Sequence, residues 1–489
     1  GIPDSSPPTA PLPTPKSAHA SVSTTGGMSC SAPGLLDFVN ASPTPFNLVS
    51  VASAKLKSRG FVELKEEEPW NKGALKAGGK YFFARAASTF VAFAIGGAFE
   101  ASNGCKVVGA HTDSPVLKLK PVSKKSGHGY MQLGVECYGG GLWHTWFDRE
   151  LSLAGSVVVE TGGKFERRLL HMKKPILRIP HLCIHLQTAD ERAKLDVNKE
   201  THLAPILQMI ESEVNKPKDA DACKDSDARH APELLSLIAA ELGCAVGAIK
   251  DLDVTLFDTQ GGQIWGPKSE FLSSPRLDNQ VHCYTAIEAL ADHACGGGLA
   301  GDGQASVITL FDHEEVGSDS THGAGSPLMQ DVIARLCKAF GGDEDALRVC
   351  VRNSFLISAD VAHAIHPNYA AKHEGNHAPL LNKGTVIKTN SNQRYATTAA
   401  TGFIVRELSR RADVGCQEFV VRNDCPCGST IGPIIASKTG VRTVDVGVPS
   451  LSMHSIRETI GCEDVVSNYK LFLQFFSGFE ALDRDCSFL

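Results

Sequence analysis

The sequence predicts an α/β fold: a three-layer sandwich with a mainly parallel central sheet, interrupted by an inserted β-rich domain. After residue 274, segments with apolar residues at helical spacing alternate with short apolar strands, which is typical of a parallel sheet covered by helices. Between residues 116 and 265 the pattern changes to short alternating or β-branched runs separated by glycine turns. We therefore divide the chain into a tail (1–30), a first part of the sandwich (31–115), the inserted domain (116–265) and a second part of the sandwich (266–489).

The first elements are two helices. Residues 1–30 are rich in Pro, Ser, Thr and Ala and are expected to form a mobile, disordered tail. Apolar residues at helical spacing predict a helix around Leu35–Val39, which Ser42–Pro45 interrupts. A second helix is predicted through Ala52 and Leu56.

The inserted domain is expected to consist mainly of strands. Alternating and β-branched patterns predict strands at residues 131–138, 152–161 and 176–179. Residues 216–230 carry charges without an accompanying apolar stripe, which predicts a solvated surface loop.

The second part of the sandwich alternates between helices and strands. The pattern predicts a helix from Asp278 through Leu290, a strand Ala305–Phe311, a helix Met329–Phe340, a strand Phe355–Ser358, a helix Ala399–Ala412, a strand Thr443–Val446 and a terminal helix Val465–Phe476. In such sheets ligands bind outside the carboxyl ends of the strands. His111 at the end of the earlier strand Lys106–Ala110 would emerge there, together with Glu314, Glu315 and Asp360.

Composition narrows the possible partners. The chain has 489 residues, of which 42% are hydrophobic and 21% charged, with a net charge of −6. That balance excludes wholesale disorder, and the scattered Lys and Arg argue against nucleic acid or an anionic membrane as a partner. We find no apolar run near 18 residues and no secretory signal. Because the chain starts at Gly1 rather than Met, a removed targeting segment stays an open alternative.

The cysteines suggest a compartment. Fifteen cysteines form an odd number in a long chain and lack the dense spacing of a small disulfide scaffold. Reduced thiols, and hence a cytoplasmic location, are favoured. Cys425 and Cys427 form the one close pair, and the proline between them favours a turn over a redox or zinc motif.

Five clusters of acids and histidines each follow or end an apolar segment. They occupy residues 110–115, 277–280, 312–317, 358–360 and 452–455. Two histidines and several carboxylates delivered from such places are what a protein needs to hold two divalent metal ions around an attacking water. We interpret the clusters as a bridged dinuclear hydrolase site.

Each of these residues also has a plainer interpretation. A single His or Asp at a strand end is more often a cap or a hydrogen-bonding residue, and Asp278 opens a predicted helix as an N-cap would. As a carboxylate, Asp278 can instead bridge two cations. Glu314 and Glu315 can divide their work, one binding metal and the other acting as general base. Asp113, two residues after His111, is placed to orient that imidazole.

Taken together, these motifs resemble those of the aspartyl aminopeptidases, dinuclear zinc peptidases of the cytosol that remove N-terminal Asp or Glu from peptides. The resemblance covers nearly the whole chain from about Leu35 onward. It is carried by Gly109–Pro115, Tyr138–Trp143, Ile179–Leu182, Ile184–Leu186, Asp312–Ser318, Ser358–Tyr369 and Met453–Glu458.

The resemblance implies a metal site and a mechanism. The implied ligands of two Zn²⁺ ions per subunit, for which Mn²⁺ or Co²⁺ can substitute, are His111, Asp278, Glu315, Asp360 and His454, with Asp278 bridging. Glu314 would be the general base that takes a proton from the attacking water and delivers it to the leaving amine, and Asp113 would orient His111.

The resemblance also implies substrate contacts and an assembly. His363, Lys388 and Tyr395 would contact the peptide, and Lys388 would pair with its acidic side chain, although a lone lysine is ordinarily exposed. A histidine from a neighbouring subunit would complete the pocket; we assign it to His185, with His181 as the alternative. The implied assembly is a tetrahedral dodecamer held together by the inserted domain.

Two other functions stay open at this level. The metal-binding residues indicate a hydrolase but do not determine which substrate side chain is accepted. A broader metallo-aminopeptidase or another amide hydrolase therefore fits the same residues. A non-catalytic oligomeric scaffold is the second, and the complete ligand set argues against it. The missing nucleotide-binding loops disfavour cofactor-dependent transfer.

Overall fold

The computed structural model describes residues 30–70, 73–210 and 229–487. Its helices are α1 Ala32–Ala41, α2 Pro45–Ser58, α3 Ala189–Ala193, α4 Pro232–Leu242, α5 Leu277–Cys295, α6 Leu328–Ala339, α7 Glu344–Asn353, α8 Ala399–Arg411, α9 Ile431–Thr439 and α10 Cys462–Asp485. Its strands are β1 Val62–Glu63, β2 Lys80–Arg85, β3 Thr89–Ile95, β4 Cys105–His111, β5 Val116–Gly127, β6 Tyr130–Tyr138, β7 Leu151–Thr161, β8 Lys164–His171, β9 Ile206–Met209, β10 Ile249–Asp258, β11 Gln263–Trp265, β12 Phe271–Ser274, β13 Ala305–Phe311, β14 Phe355–Ala359, β15 Ala362–His363, β16 Thr385–Lys388, β17 Cys416–Phe419, β18 Arg442–Gly447, β19 Pro449–Leu451 and β20 Glu458–Gly461.

The central sheet contains nine strands within the described ranges, in the order β1-β2-β3-β13-β4-β14-β18-β16-β17. Its middle strands β13, β4, β14 and β18 are parallel neighbours. The antiparallel pairs β2–β3, β3–β13 and β16–β18 lie on either side of that group. The predicted mainly parallel sheet is therefore confirmed, whereas the β2–β3 hairpin was not anticipated.

Helices cover both faces of this sheet. Successive side chains of a strand point to opposite faces, so Val108 of β4 packs in a cluster with α5 and α10, while its neighbour Val107 packs in a second cluster with α6 and α9. Both valines are fully buried, as are Ile308 and Val307 of β13, which divide between the clusters in the same way. The predicted three-layer sandwich is confirmed.

A second sheet is antiparallel and has the order β8-β7-β10-β5-β6-β9. The strands predicted at 131–138 and 152–161 are present as β6 and β7. The strand predicted at 176–179 is wrong, because only Leu177 and Arg178 form isolated bridges there. Pro175 and Pro180 flank this segment, and proline lacks the N–H that a continued ladder requires. The predicted tail up to residue 29, and residues 216–228 of the predicted loop, lie outside the described residues.

A third sheet, β11-β12-β20-β19-β15, lies beside the carboxyl edge of the central sheet and is important for the site. His363 lies on its strand β15, and His454 lies in the turn between β19 and β20. The sequence pattern did not predict this sheet, because its strands are two to four residues long and come from distant parts of the chain.

The predicted helices of the sandwich are confirmed, with differences at their ends. The terminal helix α10 is longer than its predicted core of 465–476. It begins with two acidic residues in its first turn, where negative charge favours helix formation, and its buried face continues to Leu482. Across the described ranges we find no helix with the length and apolarity needed to cross a bilayer.

Candidate active site

The acid and histidine clusters meet at the carboxyl edge of the central sheet. The parallel strands β13, β4 and β14 are neighbours, so their carboxyl ends bring together Glu314, His111 and Asp360. Asp278 enters at the start of α5, and His454 enters from the third sheet. Their separations along the chain exceed 100 residues in several pairs, so the fold alone brings them into one place.

Asp278 lies between the two histidines. Its Oδ1 is 3.2 Å from His111 Nε2, and its Oδ2 is 3.4 Å from His454 Nε2. The side chain is buried, and its Oδ1 has no hydrogen-bond partner in the described part of the chain. The residue that caps α5 is Arg276, without a side-chain hydrogen bond. Each of its two oxygens therefore faces a different imidazole.

Each histidine has a second carboxylate of its own. His111 Nε2 is 3.4 Å from Asp360 Oδ1, and His454 Nε2 is 3.4 Å from Glu315 Oε1. The five side chains thus form two groups. His111 lies near Asp360 and one oxygen of Asp278, and His454 lies near Glu315 and the other oxygen of Asp278. This is the donor set of two adjacent cation sites that share a bridging carboxylate.

Backbone carbonyls hold both imidazoles in the orientation that metal binding needs. His111 Nδ1 lies 3.0 Å from the carbonyl oxygen of Asp113, and His454 Nδ1 lies 3.0 Å from that of Gly140. An Nδ1–H that donates to a carbonyl leaves Nε2 with its lone pair free. In both residues Nε2 is the atom directed at the carboxylates.

The residues present fit two divalent ions. Asp278 Oδ1 and Glu315 Oε1 are buried and have no hydrogen-bond partner in the described part of the chain. Burying a carboxylate oxygen without a donor is costly unless a cation lies beside it. The carboxylates of Asp278, Glu314, Glu315 and Asp360 carry four formal negative charges, which two divalent cations would neutralise.

The pKa values of the site histidines reflect the same excess of negative charge. Burial lowers the pKa of His454, but the neighbouring Asp278 and Glu315 outweigh it and raise that pKa to about 10. For His111, too, burial is outweighed by the carboxylates of Asp113, Asp278 and Asp360, and its pKa is well above the ordinary range. Without cations, protons on the imidazoles balance the carboxylates.

Glu314 lies at the rim of this cluster. Its Oε2 is 3.9 Å from His111 Nε2, farther than the Asp278 and Asp360 oxygens, and its side chain is 14% exposed. Burial raises the pKa of the Glu314 carboxyl to about 8; Asp360, Asp113 and Asp278 add to this, whereas His111 opposes it. A carboxyl with a raised pKa, at the edge of the ligand set and open to the cavity, is suited to accept and return a proton.

Asp113 links the end of strand β4 to the turn that carries Glu314 and Glu315. Its Oδ1 is 3.3 Å from His111 Nδ1, and its two oxygens accept hydrogen bonds from the backbone N–H groups of Glu314 (3.2 Å) and Glu315 (3.0 Å). The hydroxyl of Tyr138 donates to Asp113 Oδ2 at 2.7 Å. Asp113 is a positioning residue that fixes an imidazole and both glutamates.

Two further positioning residues were not identified from the sequence. Tyr138 is the first, through its bond to Asp113. Glu458 is the second: its buried carboxylate accepts from the backbone N–H of Asp278 at 2.8 Å and from that of His454 at 2.7 Å. Both residues lie within the motifs Tyr138–Trp143 and Met453–Glu458, but their partners are remote in sequence, so the motifs alone gave no role.

A cavity of about 720 Å³ opens over these groups. Its wall includes the cluster residues Asp278, Glu314, Glu315, Asp360 and His454, the predicted substrate residues His363, Lys388 and Tyr395, and the loop residues Gly428, Ser429 and Thr430. The loop that leads into α9 thus reaches the cavity.

Comparison with known proteins decides the family. A family model described as aminopeptidase I zinc metalloprotease (M18) matches residues 38–476. The chain belongs to the M18 family. The resemblance stated from the motifs, the prediction of an enzyme of the aspartyl aminopeptidase kind and the prediction of aminopeptidase function are therefore confirmed.

Curated M18 relatives are similar over almost their full length. The probable aspartyl aminopeptidase of Ricinus communis is 46% identical over 471 residues, covering 92% of this chain and 95% of that protein. The aspartyl aminopeptidase of Dictyostelium discoideum is 44% identical over 470 residues, covering 92% and 96%.

Solved M18 structures share the fold. A cryo-EM structure of the Ape4 and Nbr1 complex matches with a TM-score of 0.89 at 42% identity, covering 93% of this chain and 86% of that one. The structure of the S. cerevisiae mApe1 dodecamer matches with a TM-score of 0.83 at 31% identity, covering 94% and 99%.

Lys388 is a buried, positively charged residue in the wall of this cavity. Its ammonium donates to the carbonyl of Val361 at 3.2 Å and lies 3.6 Å from Asp360 Oδ2. It also lies 5.1 Å from the ring centroid of Tyr395, which is itself buried. The general expectation of an exposed lysine is wrong at this position, since only 3% of the side chain is exposed.

His181 and His185 do not line the cavity of about 720 Å³ described above. Both are exposed. His181 stacks on Phe147, with ring centroids 4.7 Å apart, and its Nδ1 is 3.5 Å from Asp148 Oδ2. His185 lies in a short 3₁₀ turn between Ile184 and Leu186, whose side chains are 59% and 70% exposed.

Proposed function

We propose that the chain is a dinuclear zinc aminopeptidase that releases N-terminal Asp or Glu from peptides. The observation that carries the dinuclear assignment is Asp278, whose two oxygens lie near different histidines. His111 also lies near Asp360, and His454 near Glu315. In this proposal His111 and Asp360 hold one ion, His454 and Glu315 hold the other, and Asp278 bridges them. Zinc, when bound, polarises the scissile carbonyl and lowers the pKa of water.

The chain's own residues supply the proton transfer. Glu314 accepts the proton of the attacking water and returns it to the nitrogen of the leaving amine, so that the carboxyl ends the cycle as it began. Asp113 keeps this carboxyl in place through its hydrogen bond to the backbone N–H of Glu314. It fixes the imidazole of His111 in the same way.

The acidic specificity follows from Lys388. A buried ammonium in the cavity wall attracts a carboxylate of the substrate and leaves a neutral side chain without compensation for displacing water. In the free protein the ammonium of Lys388 already lies near the carboxylate of Asp360. The substrate carboxylate would be a second negatively charged partner for the same ammonium. His363 and Tyr395 border the same part of the cavity and are proposed as further substrate contacts.

Lys388→Met is expected to lower kcat/KM for Asp- and Glu-terminal peptides about a hundredfold and to leave Leu- and Ala-terminal peptides nearly unchanged. Removing one member of a buried charge pair costs roughly 2–5 kcal/mol, and methionine keeps the side-chain volume while removing the charge. The measurement is the ratio of kcat/KM values for paired Asp and Leu substrates, which does not depend on the folded fraction.

Lys106→Met is the matched control. Lys106 is also a buried lysine, paired with Asp302 at 2.6 Å outside the cavity, so its replacement should leave the Asp-to-Leu ratio unchanged. If the wild type cleaves Leu or Ala peptides faster than Asp or Glu peptides, the alternative of a broader aminopeptidase or amide hydrolase replaces the acidic assignment.

We also propose that the chain assembles as a homododecamer through an inserted domain of residues 116–265, and that His185 enters the cavity of a neighbouring subunit. The dodecameric assembly of the similar mApe1 supports the first part. The exposed apolar residues Ile184 and Leu186 support the second, because contiguous exposed apolar side chains mark contact surfaces. His181 is less suited, since Phe147 and Asp148 already engage it.

Co-expression of two inactive variants tests the role of His185. A His185→Ala subunit keeps Glu314, and a Glu314→Gln subunit keeps His185, so mixed particles should regain activity that neither variant has alone. Mass measurement of the particle verifies the assembly. Absence of restored activity in mixed particles of the expected mass contradicts a role between subunits, and restoration with His181→Ala in place of His185→Ala would select the alternative.

A cytoplasmic location is proposed as well. Its support is that every cysteine in the described ranges is a free thiol, including the exposed Cys183 and Cys295. Free thiols persist in reducing compartments.

A further inference from the structure

A second group of metal-binding side chains lies beside the active site without being part of it. Asp312, His313 and His322 each offer one ligand atom, and these atoms all lie within 4.8 Å of one another. Asp312 Oδ2 is 3.7 Å from His313 Nε2 and 4.0 Å from His322 Nε2. None of the three lines the catalytic cavity described above.

The remaining polar atoms of these side chains are already engaged. His313 Nδ1 lies 2.8 Å from the hydroxyl of Ser320, and His322 Nδ1 lies 3.0 Å from that of Thr321. Asp312 Oδ1 accepts from the backbone N–H of His313 at 2.9 Å. A hydroxyl that accepts from Nδ1–H leaves Nε2 unprotonated, which is the usual outer-shell arrangement of a metal-binding histidine. The two Nε2 atoms therefore lie toward Oδ2 of the Asp312 carboxylate, which also has a side-chain hydrogen bond with Ser88.

The group is accessible. Asp312 is buried, whereas the side chains of His313 and His322 are 27% and 21% exposed. All three line a cavity of about 350 Å³ that is distinct from the catalytic one. The same cavity is lined by Lys118, which lies 2.8 Å from Asp253, and by Arg167 and Arg276, which donate to the backbone carbonyls of Ala86 and Val39. A divalent ion would meet one carboxylate and two imidazoles there.

We propose that Asp312, His313 and His322 bind a divalent cation of the zinc class at a site separate from the two ions assigned to the catalytic cavity. Two imidazole nitrogens and one carboxylate oxygen suit Zn²⁺, Co²⁺ or Ni²⁺ better than Mg²⁺ or Ca²⁺, which prefer oxygen ligands. Bonds of about 2.0–2.1 Å at tetrahedral angles place donors roughly 3.4 Å apart, so the side chains close by about half an ångström.

The site adjoins the catalytic machinery through the chain. Asp312 and His313 directly precede Glu314, and the ring of His313 lies 6.3 Å from that of Tyr138, which binds Asp113. The proposal itself does not depend on the proposed reaction, because it concerns binding by residues outside the catalytic cavity.

Titration of the purified, zinc-loaded protein with Zn²⁺ in metal-free buffer tests the site. The wild type is expected to take up one further saturable equivalent per subunit. Losing the group that hydrogen-bonds to a metal ligand weakens metal binding about 10–100-fold, so Ser320→Ala should lower the Zn²⁺ affinity within that range. His322→Gln loses a ligand itself and should lower the affinity by more than about a hundredfold. His128→Gln is the matched control: this exposed histidine lies in the turn between β5 and β6, and its replacement should not change the affinity.

The outcomes separate this site from the proposed function. A wild type that binds no further equivalent of Zn²⁺ overturns the proposal. So does a Zn²⁺ affinity of His322→Gln equal to that of the wild type, or an affinity that falls equally in Ser320→Ala, His322→Gln and His128→Gln. Aminopeptidase activity of His322→Gln, measured in parallel, should persist, because His322 does not line the catalytic cavity. A protein that lacked activity but took up the further equivalent would contradict the proposed function alone.

Discussion

Glu314→Gln is expected to lower kcat about a thousandfold while the protein keeps its full zinc content. A positioned general acid–base group contributes roughly 10²- to 10⁴-fold, and an amide of the same size can neither accept nor return the proton. Zinc should remain because the Glu314 oxygen lies farther from His111 Nε2 than the oxygens of Asp278 and Asp360 do. Metal analysis together with single-substrate kinetics measures both quantities on one sample.

The neighbouring residue provides a matched control. Glu315→Gln makes the same change one position further along. Glu315 Oε1 is buried, has no hydrogen-bond partner among the described residues and lies 3.4 Å from His454 Nε2. We expect this variant to lose zinc as well as activity. An active Glu314→Gln protein, or one that loses zinc to the same extent as Glu315→Gln, would contradict the division of work between the two glutamates.

The parts of the fold that were predicted correctly are those with a strong local signal. The strand β13 matches its predicted range of Ala305–Phe311, because seven consecutive buried residues leave little choice of structure. The helices α6 and α8 were found within one residue at each end, since their apolar residues recur at helical spacing. The third sheet gave no such signal, because its strands are short and β12 pairs with β20, which lies far away in the chain.

The same difference separates the site residues. His111 could be placed at the sheet edge from the sequence, because it ends a buried strand that lies between two parallel neighbours. The role of Glu458 could not, because its two hydrogen bonds go to backbone groups whose positions depend on α5 and the third sheet. Lys388 looked like an ordinary surface residue, and only the packing of β16 against Asp360 and Tyr395 makes it a buried cation.

Asp278→Asn should have the second large effect, the loss of both zinc ions and of measurable activity. Asparagine offers one carbonyl oxygen and one NH₂ group in place of two carboxylate oxygens, so one side of the bridge would present donor hydrogens to a cation. It also removes the one negative charge that both groups share. The expected result is a zinc content near zero after dialysis, measured by elemental analysis.

Asp360→Asn distinguishes a bridge from an ordinary ligand. Of the two histidines, Asp360 lies near His111, so its replacement should weaken one ion and leave His454, Glu315 and the Asp278 oxygen near His454 in place. One zinc per subunit is therefore expected, against none in Asp278→Asn. Equal zinc contents in the two variants would mean that Asp278 serves a single ion. The bridged arrangement requires the asymmetry, because a shared carboxylate is the one ligand whose loss removes a bond from both ions at once.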